Sequence, residues 1–176
     1  MLSFTPFQET GKRTVYKIQT GKISLTSEAP LEVIRAESVD LRGLIDTTNK
    51  TFAFTVTILS FHGFNGPLQK EHFNENYMES EKYPVATFIG KIIEEIDFTK
   101  TGKYEIRTKG VLNIHGVKQE RIINSKIEIS NNKMQIQSKF KITIADHNIR
   151  IPKVVYQKIA AEIDAEIEAV LLLTTY

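Results

Sequence analysis

The chain has 176 residues, of which 41% are hydrophobic and 25% are charged, with a net charge of +2 and no cysteine. This length suits one domain with a sizeable core or a closed barrel, and this composition argues against disorder. Because the lysines alternate with acids instead of clustering, no nucleic-acid-binding surface is predicted. The lack of cysteine excludes disulfides, thiolate metal sites, a cysteine nucleophile and covalently attached c-type haem.

The N-terminal residues 1–13 show no usable period and are predicted to form a loosely ordered lead-in to a single domain over residues 14–176. They lack the basic start and the apolar core of a signal peptide. The longest apolar run, residues 169–173, is far too short for a membrane span, so no integral membrane segment is expected. The protein is therefore expected to be cytoplasmic if residue 1 is its native start. It is expected to be periplasmic or secreted if residue 1 follows a cleavage site.

Strand-like segments then follow in close succession, at 15–20, 22–29, 31–38 and 39–46. The next segment, residues 52–58, has the clearest strand pattern, because large apolar residues alternate with small or hydroxylated ones. Its predicted inward face consists of Phe52, Phe54, Val56 and Ile58.

A different period interrupts the strands after residue 66. Pro67 predicts a helix start, because the N–H that proline lacks would be unpaired at a first helical position. Leu68 and His72 follow at i, i+4 spacing, and Pro84 disfavours helix in the residue before it. One short helix is therefore predicted around residues 67–79.

Alternation of apolar and polar residues resumes after this helix, over residues 86–92. Further strands are predicted at 104–114, 117–129 and 133–144. The turn before the last of them contains Asn131-Asn132, residues that tolerate the positive φ of tight hairpins. Spaced strands with short turns predict an antiparallel sandwich or barrel.

The C-terminal residues 159–173 fit two patterns. Ile163, Ile167 and Val170 fit the apolar stripe of a helix, and the alanine and glutamate content favours one. A strict alternation over the same segment favours a strand, with the acids Glu162, Asp164, Glu166 and Glu168 on one side and these apolar residues on the other: Ile163, Ala165, Ile167, Ala169, Leu171 and Leu173. Periodicity alone does not choose between helix and strand.

Several motifs of the chain belong together. The longest is EHFNENYMESEKYPVATFIGK at residues 71–91, and shorter ones are GLID at 43–46, GVLNIHGV at 110–117 and DHNIRIP at 146–152. Together they resemble the YceI-like family of small bacterial proteins, some of which bind polyisoprenoids. The resemblance covers roughly residues 15–173.

The resemblance implies an all-β fold, namely an extended antiparallel lipocalin-like β-barrel of about eight strands with one short helix. It also favours a strand for the C-terminal segment. Two dipeptides depart from the family pattern: Gln69-Lys70 stands where many members carry Arg-Asp, and Lys118-Gln119 stands where Thr-Lys is common. The first departure affects the polar contacts expected near His72.

The resemblance further implies that the barrel binds, carries or sequesters an isoprenoid or another long-chain apolar lipid without catalysis. A prenyl chain presents only apolar surface, whose burial favours binding by about 25 cal/mol per Å². Polar groups are then needed only at the mouth of the cavity. The residues expected to line the cavity are Phe52, Phe54, Val56, Ile58, Phe88, Leu112, Ile114, Phe140 and Ile142.

Three residues are expected at the cavity mouth, where a head group would bind: His72, Asn76 and Tyr77. A histidine at this position could donate a hydrogen bond to the head group. The alternative is that His72 caps local backbone and packs the helix on the barrel.

Other functional classes have weaker support from the sequence. The four histidines lack the local spacing of metal-ligand sets, and no cofactor or metal is predicted. No nucleophile elbow, phosphate-binding loop or dinucleotide fingerprint is present, and a hydrolase acting on lipid-like substrates stays an alternative. A protein-interaction or stress-response module with a filled core is another alternative, and a homodimer is left open.

Overall fold

The computed structural model describes residues 13–175, so the predicted lead-in lies outside the described residues except for Arg13. The described chain contains one α-helix, α1 (Pro67–His72), and nine β-strands. The strands are β1 (Thr14–Glu28), β2 (Val33–Ser38), β3 (Arg42–Asp46), β4 (Thr51–Thr57), β5 (Val85–Ile92), β6 (Gly102–Ile114), β7 (Val117–Ser130), β8 (Lys133–Thr143) and β9 (Glu162–Thr175).

The strands form one antiparallel sheet in the order β2-β1-β3-β4-β5-β6-β7-β8-β9, and pairing of β1 with β9 closes it. One edge of β1 pairs with β9 over most of its length. The other edge pairs with β3 at residues 15–17 and with β2 at residues 23–28. The closed barrel therefore has eight strands, with β2 as an additional strand, and the predicted lipocalin-like barrel is confirmed.

The first two predicted strands are one continuous strand, β1. Its register against β9 shifts between Ile18 and Thr20, which makes Gln19 an extra residue, or β-bulge. Tyr16 and Ile18 contact the core before the bulge, and Ile23 and Leu25 contact it afterwards. The inward positions thus change from even to odd numbers, and this is why the sequence pattern resembles two separate strands.

The predicted helix is present and begins with Pro67 at its first turn. It continues as a π-helical turn, Phe73–Tyr77, in which the Met78 N–H donates to the Phe73 carbonyl. Phe73 packs against Phe61 and Phe64, with ring centroids 5.8 Å and 5.0 Å apart. These aromatic contacts seat the helical segment on one end of the barrel.

The C-terminal segment is the strand β9, as the resemblance implied. Its two edges pair with β8 and β1, so every second residue points into the barrel. Ala165, Ala169 and Leu171 are buried inside. On the outside, Glu166 accepts a hydrogen bond from Lys139 at 2.7 Å.

The two ends of the barrel differ. The upper end carries α1, the tip of the β1–β2 hairpin and residues 144–161, which include two short 3₁₀ turns. The lower end carries the tight turns between β3 and β4 and between β7 and β8. No helix within residues 13–175 is long and apolar enough to cross a membrane.

Candidate functional site

The upper half of the barrel encloses a cavity of about 220 Å³, which we call the upper cavity. Its walls come from β1, β2, β4, β5, β6, β8 and β9, and its roof from the helical segment and residues 144–161. None of the lining residues, all within residues 13–175, carries a charged side chain. The polar ones are Ser27, Thr55, Gln69, Tyr77 and Thr87. The cavity therefore offers an almost wholly apolar surface.

Most of the expected lining residues lie on this cavity. The structure places eight of the nine there: Phe54, Val56, Ile58, Phe88, Leu112, Ile114, Phe140 and Ile142. The ninth, Phe52, points inward one residue pair lower and lines a second cavity instead. The inward facing is thus as expected for this set, and a role in ligand binding stays a prediction.

The upper cavity is open space and not a filled core. Phe54, Phe88 and Phe140 point into the barrel, yet each keeps accessible surface. By contrast, Ile127 and Met134 in the lower half are fully buried. Large apolar side chains that face inward without complete burial border a space that other side chains do not fill.

The lower half of the barrel contains a smaller cavity of about 50 Å³, which we call the lower cavity. Three hydroxyl side chains line it: Thr108, Ser125 and Ser138. The Ser125 and Ser138 hydroxyl oxygens are 2.5 Å apart, and Thr108 donates to the Ile123 carbonyl at 3.0 Å. These polar groups satisfy each other or the backbone, as buried polar groups must.

A ring of side chains separates the two cavities, and we call it the waist. Its members line both spaces, and they are Leu41, Phe54, Phe88, Phe140 and Ile167. Phe52 supports the waist from below, with ring centroids 4.9 Å from Phe88 and 5.6 Å from Phe54. The waist thus forms the floor of the upper cavity.

Glycines on neighbouring strands make room for the waist. A Cβ atom at Gly43, which pairs with Phe54, would lie 2.3 Å from the Phe54 ring. A Cβ atom at Gly110 would lie 2.9 Å from the Phe88 ring. Gly110 in turn pairs with Gly90, so β5 and β6 meet there at two residues that have no side chain. Gly43 and Gly110 belong to the GLID and GVLNIHGV motifs. Glycine is needed at both positions because the backbone packs closely against an aromatic ring.

The three expected head-group residues separate in the structure. Tyr77 lines the upper cavity, and burial raises the pKa of its hydroxyl. His72 is partly exposed and Asn76 is exposed, and neither side chain belongs to the cavity lining. Their contact with a head group stays a prediction.

Gln69 is a polar lining residue that the sequence reasoning noted only as a departure from the family pattern. Its amide nitrogen donates to the Glu32 carboxylate at 3.0 Å, and its amide oxygen accepts from the Asn65 N–H at 3.0 Å. The Asn65 side chain also donates to Glu32, at 2.9 Å. These amides hold the pKa of Glu32 below its ordinary value. Gln69 therefore ties α1 to the β1–β2 hairpin at the cavity roof.

The rest of the roof comes from residues 144–161, which the sequence reasoning also missed. Their contributions to the lining are Ile144, Ile149, Ile151 and Ile159. The alternating isoleucines within the DHNIRIP motif were the available signal. This segment is anchored through His147, a buried residue whose Nδ1 lies 3.1 Å from the Val117 carbonyl.

His115 joins His147 to the residues that follow the helical segment. Its Nδ1 lies 3.0 Å from the His147 carbonyl and its Nε2 lies 2.5 Å from the Glu79 carboxylate. The Tyr83 ring packs edge-on against His115. Among residues 13–175, no group of three histidine, cysteine or carboxylate side chains is placed to hold a metal ion. The polar contacts around the cavity therefore hold its roof in place.

Several solved structures share this fold. The polyisoprenoid binding domain from Saccharophagus degradans implicated in plant cell wall breakdown has a TM-score of 0.77 at 14% identity, covering 90% of this chain and 98% of that domain. BcnA from Burkholderia cenocepacia has a TM-score of 0.70 at 14% identity, covering 85% and 95%. The Campylobacter jejuni YCEI protein has a TM-score of 0.60 at 19% identity, covering 80% and 84%.

At these identities the similarity concerns the fold. No curated protein sequence matches this chain. The sequence pattern of the YceI-like domain, however, matches residues 12–171, which is nearly the whole chain. The chain therefore belongs to the YceI-like family.

Proposed function

We propose that this protein binds a long-chain apolar lipid, a polyisoprenoid above all, in the upper cavity, and that it carries or sequesters this lipid without catalysis. The observation that supports the proposal best is the lining of the upper cavity, which is almost wholly apolar and contains no charged side chain among residues 13–175. Such a surface stabilises a hydrocarbon chain at about 25 cal/mol per Å² buried and offers little to a polar ligand. The polyisoprenoid binding domain with the same fold supports the isoprenoid as the ligand class.

We propose that the lipid chain enters at the roof and ends at the waist, which is the floor of the upper cavity. Residues 144–161 line the roof with isoleucine side chains, and three aromatic rings lie in the floor. Methyl branches of a prenyl chain pack well against such surfaces, because apolar contacts are non-directional. The first prenyl units are therefore expected to lie above Phe54 and Phe88.

Polar recognition is expected only near the roof. Gln69 and Tyr77 are the polar residues of the helical segment that line the cavity. We propose that Tyr77 donates a hydrogen bond to a lipid hydroxyl or phosphate, and that His72 and Asn76 contribute at the rim. The alternative for His72, packing of the helix on the barrel, predicts no effect on ligand affinity.

The first experiment is solvent extraction of the protein purified from its native host, followed by mass spectrometry. We expect one polyprenyl species in stoichiometric amount. A natively folded protein that yields no lipid would argue against the carrier function. It would favour the interaction-module alternative instead.

A pair of matched variants tests whether the ligand binds in the upper cavity. Ala86 lines the upper cavity, and Ala53 points outward from the adjoining strand β4. We expect Ala86→Trp to fill the cavity and to abolish binding of a fluorescent prenol, whereas Ala53→Trp binds like the wild type. Thermal unfolding checks that both variants are folded. Unchanged binding by a folded Ala86→Trp protein would exclude the upper cavity as the site.

A further inference from the structure

Large apolar side chains are exposed at the upper end of the barrel, beside the roof of the cavity. Leu31 is 66% exposed, Val154 is 89% exposed and Tyr156 is 63% exposed. Leu31 lies at the tip of the β1–β2 hairpin, and the other two lie in the short turn after Pro152. We call these three residues the roof patch.

The roof patch is held in place by hydrogen bonds. The Leu31 N–H donates to the Gln157 carbonyl at 2.9 Å, which joins the hairpin tip to the turn. The Gln157 side chain donates to the Tyr156 hydroxyl at 2.9 Å. Just below, the Ala160 N–H donates to the Ser27 hydroxyl at 2.8 Å. The apolar side chains are therefore displayed on a fixed surface.

The same two segments line the cavity on their inner side. Ile151 and Ile159 flank the turn that carries Val154 and Tyr156, and both point into the upper cavity. Ser27 lines it from the hairpin. The roof patch thus lies directly outside the wall of the lipid site.

Basic side chains lie on the segment that carries Val154 and Tyr156. Residues 148–161 contain Arg150, Lys153 and Lys158 and no carboxylate, and all three cations are exposed. In the neighbouring hairpin, the Glu32 carboxylate accepts hydrogen bonds from the Asn65 and Gln69 side-chain amides and is also attracted by Lys158. Arg150 and Lys153 remain as a positive pair on either side of Pro152.

We propose that the roof patch docks on the surface of an anionic phospholipid bilayer. Exposed apolar side chains flanked by basic ones are the combination that inserts into the interface of such a bilayer while its cations meet the lipid phosphates. This orientation brings the roof of the upper cavity against the bilayer, where an apolar chain can pass without crossing water. Such docking extends the proposed function, and binding to vesicles measures it without any prenyl ligand.

The test is co-sedimentation of the full chain with vesicles of phosphatidylcholine, with and without phosphatidylglycerol. We expect binding to the vesicles that contain phosphatidylglycerol, and we expect it to weaken as salt is added, because salt screens the charges. Val154→Asp is expected to reduce this binding about tenfold, since it removes one apolar anchor and adds a like charge at the bilayer. The control is Ile122→Asp on the outer wall of β7, where an isoleucine is 58% exposed away from the upper end.

The outcomes separate the alternatives. Absent binding by the wild type, equal binding to phosphatidylcholine alone, or equal binding by Val154→Asp would each overturn the proposal. Sedimentation equilibrium of the same variants tests whether a second copy of the chain covers the roof patch. A dimer that Val154→Asp dissociates, without vesicle binding, would also overturn the proposal.

The prenol-binding assay is run on Val154→Asp in parallel. Unchanged prenol affinity is expected, so a failure of docking is distinguishable from a failure of lipid binding.

Discussion

The upper and lower cavities lie inside the same barrel and share strands, yet only the upper one has room for a ligand. In the lower half, β3 pairs with β4 over residues 42–46, and the barrel wall is continuous. In the upper half, the outer edge of β2 makes a single bridge, between Glu37 and His62. The chain between β4 and β5 covers this gap with α1 and the π-helical turn.

This difference shows how the cavity arises. A closed eight-stranded barrel is narrow enough for its own side chains to fill it, as they do around Ile127 and Met134 in the lower half. Where the hydrogen-bonded wall is interrupted, a helical segment spans the opening, and the side chains across it no longer meet. Variants in the waist, the lower cavity and the lower rim test this division between the two halves.

Substitution of Gly90 should damage both cavities, because it forces apart the strands behind the waist. A Cβ atom there would lie 2.1 Å from the Lys109 carbonyl oxygen and 2.5 Å from the Gly110 Cα. We expect Gly90→Ala to lower the free energy of unfolding in urea by about 3 kcal/mol, since backbone atoms must move. Gly66→Ala is the control, because its Cβ would meet no atom within 4 Å. Equal stability of the two variants would contradict the close approach of β5 and β6.

Removal of a waist ring should join the two cavities. We expect Phe88→Ala to cost about 2 kcal/mol, less than for a fully buried phenylalanine, because the ring already borders open space. We also expect a shift of prenol preference towards longer chains, measured by competition among prenols of increasing length. Phe98→Ala is the control, since Phe98 is a buried core residue that lines neither cavity. A preference unchanged in Phe88→Ala would mean that the waist does not limit the chain.

The lower cavity should respond in stability alone. Ser125→Ala leaves the Ser138 hydroxyl buried without its partner, and we expect a loss of about 1–2 kcal/mol in urea unfolding. The double variant with Ser138→Ala should regain part of this loss, because both polar groups are then absent. Prenol affinity should stay at the wild-type value in both proteins. A clear change in affinity would place ligand below the waist.

The lower rim should show a pH dependence from Asp46. Burial acts to raise the pKa of this carboxyl, but the N–H groups of Asn49 and Thr48 and the Asn49 side chain outweigh it and hold the pKa below its ordinary value. A lowered pKa stabilises the fold above the pKa of the unfolded chain, and the stabilisation is lost as pH falls through the lower, folded value. We expect Asp46→Asn to be less stable at neutral pH and to lose less stability on acidification. Parallel acid unfolding curves of variant and wild type would contradict this.

Much of the fold could be predicted because alternation follows directly from strand geometry. The inward facing of residues 52–58 needed only the period of two. The continuity of β1 could not be predicted, because the bulge at Gln19 changes the inward parity within one strand. The helix was predicted from Pro67 and Pro84, but no residue pattern predicted its π-helical second half, which begins at Phe73, where the ring packs against Phe64.

The candidate site divides in the same way. Gly43 and Gly110 were visible in motifs, but the sequence did not show why glycine is required there. In the structure the Phe54 and Phe88 rings lie against them. Gln69 could not be assigned to the roof, because its contact with Glu32 joins segments far apart in sequence. Phe52 and Phe54 look equivalent in the sequence, but in the structure Phe52 lines only the lower cavity, whereas Phe54 lies at the waist and lines both cavities.

Residue patterns alone therefore predicted most of the strands and their inward faces, the position of the helix and the family resemblance, but not the change of inward parity within β1. Where side chains fill the barrel and where they leave a cavity follows only from the tertiary structure. The period of two says which side chains point inward, but it carries no information on the distance to the side chains opposite. That distance depends on the closure of the wall, and here the wall closes below the waist and opens beneath the helix.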